Sequence, residues 1–187
     1  MSFAEGAMLF AIGAHGANNQ VRKYTGEPYW IHLQEVASLV KQHGGSEAAV
    51  AAAWLHDVRE DTSITSATIE LLFGETVARL VDGVTDISKL EDGTRAVRKR
   101  LDREHLARQC DVCKTIKLCD VISNTKTIHQ LDPEFARIYL KEKLSLLDAL
   151  RGGNQELWLQ AYLQVSSHLE EIALTDSAEP AQRAASA

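Results

Sequence analysis

Leu55-His56-Asp57-Val58-Arg59-Glu60-Asp61-Thr62 sets one imidazole and three carboxylates within six residues, at the end of an otherwise apolar, alanine-rich stretch. On a helix, residues four apart share a face, so His56 stacks near Glu60 and Asp57 near Asp61. The preceding run Ala48 to Ala53, with Ser46 as its cap, lets neighbouring helices approach closely. This segment is therefore expected at the centre of a bundle, ending around Arg59 to Asp61. An adjacent imidazole and carboxylate suit a divalent cation such as Mn, Fe or Mg, whereas a structural zinc site would favour thiolates.

Outward from this segment the same period continues. Three prolines in 187 residues, and no sustained two-residue alternation, predict an all-α fold. Helices are expected from Phe3 to just before Asn18, over Tyr29 to His43, over Thr65 to Phe73 and Glu75 to Ser88 around Gly74, and over Thr94 to Arg108. Further helices are expected over Cys110 to Leu131, Asp132 to Leu150 and Gln155 to Leu174. Asp132-Pro133-Glu134 is a start signal, with a capping acid and proline at the first helical position. The reading is one all-α domain of about eight to ten helices over residues 1–175, with a disordered tail over 176–187.

A net charge of -6 argues against an extended nucleic-acid surface. No run approaches the roughly 18 apolar residues of a membrane span and no signal segment is evident, so a cytoplasmic protein with a small-molecule partner is expected. Nothing specifies an oligomeric state. Cys110, Cys113 and Cys119 are an odd set within ten residues, a poor disulfide framework. Cys110-Asp111-Val112-Cys113 has the spacing of a redox or zinc motif, but no strand precedes it and no second pair completes a zinc site, so the thiols read as structural.

A cation at His56 and Asp57 needs more ligands. Asp120 and Asn124 lie four apart on the expected Cys110 to Leu131 helix, with Thr127 on the same stripe, and His32 lies one turn into a third helix. Singly, each has a plain reading: a buried histidine is more often a core residue than a ligand, and Asp120 with Asn124 could be a cap or a solvated face.

The joint pattern His32, His56-Asp57, Asp120 resembles that of the HD-domain superfamily. The surrounding words narrow it further: Arg22-Lys23-Tyr24-Thr25-Gly26-Glu27-Pro28-Tyr29, His56-Asp57-Val58-Arg59-Glu60-Asp61-Thr62, Phe73-Gly74 with Val84-Thr85, and Lys117-Leu118-Cys119-Asp120 with Asn124 and Thr127. These are similar to the (p)ppGpp hydrolase domain of RelA/SpoT proteins, in a stand-alone form. The resemblance implies an HD-type helical bundle that releases pyrophosphate from the 3′ position of a guanosine alarmone, with a manganese ion held by His32, His56, Asp57 and Asp120. It implies Glu60 and Asp61 as the pair that orients or deprotonates water. It places Arg22, Lys23, Asn124 and Thr127 against the nucleotide, and Tyr139 near an aromatic contact.

Two departures touch substrate choice. His15-Gly16-Ala17-Asn18-Asn19-Gln20 is longer than the family's His-x-Gly-Gln link, so His15 is not carried over; and Arg59 stands where an aliphatic residue is usual, free to pair with Glu60 or reach substrate. The alternatives that stay open are a (p)ppApp hydrolase, an NADPH phosphatase, and a catalytically silent nucleotide-binding or antitoxin-like module. Arg95, Arg98, Lys99, Arg100 and Arg103 make one helix basic; a solvated face explains them as well as a substrate role, and they stay outside the site. His43, His105, His129 and His168 read as surface or helix-end residues.

Overall fold

The computed structural model describes residues 2–185, with side chains through Thr175. The expected tail, 176–187, thus has all its side chains outside the described residues. Among the described residues the chain is helical, apart from loops and one isolated bridge between Val21 and Pro28, and no helix is long and apolar enough to cross a membrane. Eight longer helices carry the fold: α1 (Phe3–Ala17), α2 (Trp30–Gln42), α3 (Glu47–Leu55), α5 (Ser66–Val84), α6 (Arg95–Ala107), α7 (Asp111–Thr125), α9 (Pro133–Ala149) and α10 (Gln155–Ala185). Three single turns complete it: α4 (Val58–Asp61), a 3-10 turn over Leu90–Asp92, and α8 (Ile128–Leu131).

The starts are set by local chemistry. Ser2 and Glu5 close a capping box on α1, Ser46 accepts from the Ala49 N–H at α3, and Asp132 accepts from the Phe135 N–H behind Pro133 at α9. Gly74, with φ of 79°, breaks the run of α5 as its position predicts. At the centre, α3 buries every residue from Ala49 to Leu55 against α1, α2 and α5, its small side chains permitting that density. Helix α7 lies across the other side of this core, packed on α2, α5 and α10.

Two expected helices are interrupted, each at a polar contact that local sequence cannot show. The helix through His56 stops at Leu55 because His56 Nδ1 bonds the Ala53 carbonyl at 2.8 Å, an acceptor that a continuing helix would give to the Asp57 N–H. The expected Cys110 to Leu131 helix ends at Thr125, because Gln164 on α10 donates to Ile122 O at 2.8 Å and to Thr125 Oγ1 at 2.7 Å. That captures a terminal carbonyl and lets the chain turn at Thr127 into α8. Of the histidines read as surface or helix-end residues, His129 is buried in the single turn α8 and His168 is half-buried on α10, their rings stacking at 3.6 Å.

Candidate metal centre and adjoining cavity

Three parts of the chain converge on one point. α2 presents His32, the turn between α3 and α4 presents His56 and Asp57, and α7 presents Asp120, all four buried. The two imidazole Nε2 atoms lie 3.2 Å apart, and Asp57 Oδ2 lies 3.4 Å from His32 Nε2 and 3.0 Å from His56 Nε2. Asp120 Oδ1 is 3.4 and 3.8 Å from the same two nitrogens. A cation about 2.1 Å from each donor would separate neighbouring donors by about 3.0 Å in an octahedron and about 3.4 Å in a tetrahedron. The spacing matches the edges of such a polyhedron.

The tautomers also fit. His56 Nδ1 faces a carbonyl, which can only accept, so it carries the proton. Ser123 Oγ donates to Glu35 Oε2 at 2.6 Å and therefore accepts from His32 Nδ1 at 2.9 Å. Both Nε2 atoms thus face the centre, where a cation would take the place of the proton that His56 Nε2 otherwise holds. Burial would raise the carboxyls of Asp57 and Asp120, but His56 beside the first and Lys117 beside the second hold both well below the usual range. Burial would likewise lower His56, yet Asp57 and Asp120 lift it to about 10. The centre attracts positive charge, and two imidazoles with two carboxylates form a donor set for a divalent cation.

A layer of contacts aims the donors. Tyr29 donates to Asp57 Oδ2 at 2.6 Å, with His15 stacked on its ring at 5.0 Å. Lys117 Nζ pairs with Asp120 Oδ2 at 3.0 Å, and Asn124 Nδ2 donates to Asp120 Oδ1. Tyr29→Phe should leave the fold intact and weaken divalent-cation affinity roughly 10- to 100-fold, the usual effect of removing such a partner. Calorimetric titration of the stripped protein measures this; unchanged affinity would remove Tyr29 from the centre.

The centre opens into a cavity of about 650 Å³. Tyr29, Asp57, Glu60, Asp120 and Asn124 form one wall, and Arg95, Lys99 and Arg103 of α6 with Tyr139 and Lys143 of α9 form the other. Much of the positive charge is already engaged: Arg95 grips Glu142 through two 2.8 Å contacts, and Lys99 binds Asp86 at 2.7 Å. Glu60 Oε1 accepts from the Asp86 N–H at 2.8 Å. The walls around its carboxyl desolvate it although the residue as a whole is exposed, and this, with the charges of Asp86 and Asp57 and against the pull of Lys117, raises Glu60 to about 7.

Of the residues singled out in the sequence, the structure brings His32, His56, Asp57, Asp120, Glu60, Asn124 and Tyr139 together at the centre or on the cavity wall. Arg22 reaches the wall through a 2.8 Å bond to Asn124 Oδ1. Asp61 turns away from Glu60 to accept from Gln20 Nε2 at 2.8 Å, since α4 is a separate turn and not a continuation of α3. Gln20 in turn meets His15 Nδ1 at 2.7 Å, so the longer link still joins these two residues. Lys23 sits outside the cavity, against Tyr24 and Phe135, and Thr127 is exposed at the start of α8.

Arg59 neither pairs with Glu60 nor faces the cavity; α4 aims it at α5, where it binds Asp82 at 2.6 Å. Sequence reasoning gave no role to Tyr29, Lys117 or Lys143, and left Lys99 outside the site as equally well explained by a solvated face. The signal for the α6 wall was present: Arg95, Lys99 and Arg103 recur every four residues and share a helix face.

The sequence model described as HD domain matches residues 7–158. The chain is 41% identical over 139 residues to a probable guanosine-3′,5′-bis(diphosphate) 3′-pyrophosphohydrolase of Synechocystis sp., covering 73% of this chain and 18% of that protein. It is 33% identical over 152 residues to the guanosine-3′,5′-bis(diphosphate) 3′-pyrophosphohydrolase MESH1 of Danio rerio, covering 78% and 82% respectively. The chain thus spans about a fifth of the length of the first bacterial relatives, and most of the length of the zebrafish protein. A solved structure described as a metazoan ortholog of SpoT that hydrolyses ppGpp superimposes with a TM-score of 0.75 at 29% identity, over 94% of this chain and 96% of that one.

Proposed function

Since the chain belongs to the HD-domain family, we propose that it hydrolyses the 3′-pyrophosphate of guanosine-3′,5′-bis(diphosphate) and related alarmones, giving pyrophosphate and the 5′-nucleotide. The observation that carries this reading is the convergence of two correctly protonated imidazoles and two carboxylates at the mouth of a cavity with a cationic far wall. His32, His56, Asp57 and Asp120 would hold the ion, with manganese our choice for a mixed nitrogen and oxygen set. When bound there, such an ion supplies Lewis acidity, lowering the pKa of a water and neutralising charge that develops on phosphate.

The chain's own groups do the rest. Glu60, with a carboxyl that titrates near neutrality, accepts the proton that the attacking water releases as its oxygen bonds to phosphorus and the bond to the 3′ oxygen breaks, the 3′ oxygen leaving as a hydroxyl that takes up a proton from solvent. Asp61 acts one step back, held by Gln20, as an orienting group. Arg22, through Asn124, and Tyr139 on the facing helix hold the nucleoside, while Lys23 and Thr127, which lie outside the cavity, would meet only parts of the nucleotide that extend beyond it. Lys99, Lys117 and Lys143 meet its phosphates. We place the enzyme in the cytoplasm, in keeping with three free thiols.

Purified protein assayed with manganese against ppGpp, pppGpp, ppApp, pppApp and NADPH in parallel tests this. Pyrophosphate release from the guanosine compounds is expected to be fastest. Release of inorganic monophosphate from NADPH alone would refute the alarmone assignment and leave the metal centre standing.

A further inference from the structure

Cys110 and Cys113 occupy the first turn of α7, where Cys110 is the capping residue. Their sulfurs lie 3.5 Å apart, in van der Waals contact. The two differ in access: Cys110 is exposed and Cys113 buried. Cys113 Sγ is seated against α5, 3.7 Å from the Leu80 carbonyl, in a hollow that only a glycine leaves open, since a Cβ on Gly83 would come within 2.7 Å of it. Spacing alone assigns this pair to structure, because no strand precedes it. The fold supplies what a strand would, a helix N-terminus presented at the surface with one thiol outside and one inside.

We propose that Cys110 and Cys113 form a reversible dithiol–disulfide pair that exchanges with small-molecule disulfides, Cys110 attacking and Cys113 resolving. The Cys110 thiolate attacks one sulfur of the small disulfide, whose S–S bond breaks and releases a thiolate that takes up a proton. Cys113 then loses its proton and attacks the Cys110 sulfur, expelling the second thiol. Two protein S–H bonds are exchanged for one S–S bond, and the small disulfide is reduced to two thiols. The sulfurs must close from 3.5 Å to about 2.05 Å, a movement the exposed Cys110 can make while Cys113 stays seated.

The acidities support the same division of labour. Burial would raise the Cys110 thiol, but the first-turn N–H groups and the Cys113 side chain outweigh it and bring it below the usual value. Burial, then the Cys110 neighbour, pushes Cys113 up to about 12. A ring closed over so few residues removes little chain entropy from the unfolded state, so the bond's role is chemical and not structural. Cys119, buried on the same helix and raised to about 12, is a built-in control.

The test incubates full-length reduced protein with oxidised glutathione, quenches with acid and weighs the peptides. In the wild type, the peptide holding Cys110 and Cys113 should be lighter by two hydrogens, restored by dithiothreitol, with Cys119 open to alkylation throughout. In Cys113→Ser the glutathione adduct should persist on Cys110; in Cys110→Ser neither remaining cysteine should react. The proposal is overturned if Cys110 stays reduced in both wild type and Cys113→Ser. It is equally overturned if the wild type retains the adduct without closing the bond, or if Cys119 reacts as fast as Cys110.

Discussion

Asp57→Asn is expected to abolish nucleotide hydrolysis, by about a thousandfold or more, and to strip the protein of its divalent cation. Asp57 Oδ2 lies within 3.4 Å of both imidazole nitrogens and also accepts from Tyr29, so no other carboxylate can replace it without moving α2 or α7. The asparagine keeps the volume and an acceptor for Tyr29, which separates loss of the charge from collapse of the buried site. Metal content after dialysis, read beside turnover and melting temperature, decides the matter. A folded Asp57→Asn protein that retains both metal and activity would show that the ion is held elsewhere.

Glu60→Gln should lower turnover by roughly a hundredfold or more while making the cation-free protein more stable above pH 7. The two effects share one cause. The folded carboxyl titrates at about 7, against 4.5 when free, so the native state holds a proton that the unfolded chain gives up. Between those values the native protein loses stability as pH rises, and above pH 7 the full deficit is present. Because Glu60 is an exposed residue overall, solvent screening reduces that deficit to about 1 kcal/mol. Glutamine has no charge to desolvate, so melting curves of the chelator-treated variant and wild type should coincide near pH 4.5 and diverge above pH 7 in the variant's favour. In the loaded wild type, activity should rise with pH through an apparent pKa at or below about 7, since a bound cation favours the carboxylate. A variant that keeps this pH limb would remove Glu60 as the proton acceptor.

The all-helical class and most helix starts were legible because they are written locally, in periodic apolar residues and in caps such as Ser46 and Asp132. His56 and Asp57 drew notice because adjacent polar groups at the end of an alanine-rich helix have little business in a core. Two helix breaks were not legible, because the groups that cause them act at a distance or through a side chain turned back on its own helix: Gln164 for α7 and the His56 ring for α3. The divergence of Glu60 and Asp61 follows from the second of these. The cationic wall was half legible: the Arg95, Lys99, Arg103 repeat could be read, but only packing of α6 on α9 shows that it faces a cavity and not solvent.

The Gln164 contact also bears on the order in which the chain can become competent during its own synthesis. His32, His56 and Asp57 leave the ribosome early, and Asp120 follows; yet the end of α7 is finished by a side chain another forty-four positions on. A nascent chain that has exposed all four donors therefore still lacks the clasp that ends the helix carrying Asp120, Ser123 and Asn124. If the four residues hold an ion, the last donor is in place only once α10 has been made, so the C-terminal helix and not the donors themselves sets when the centre is complete.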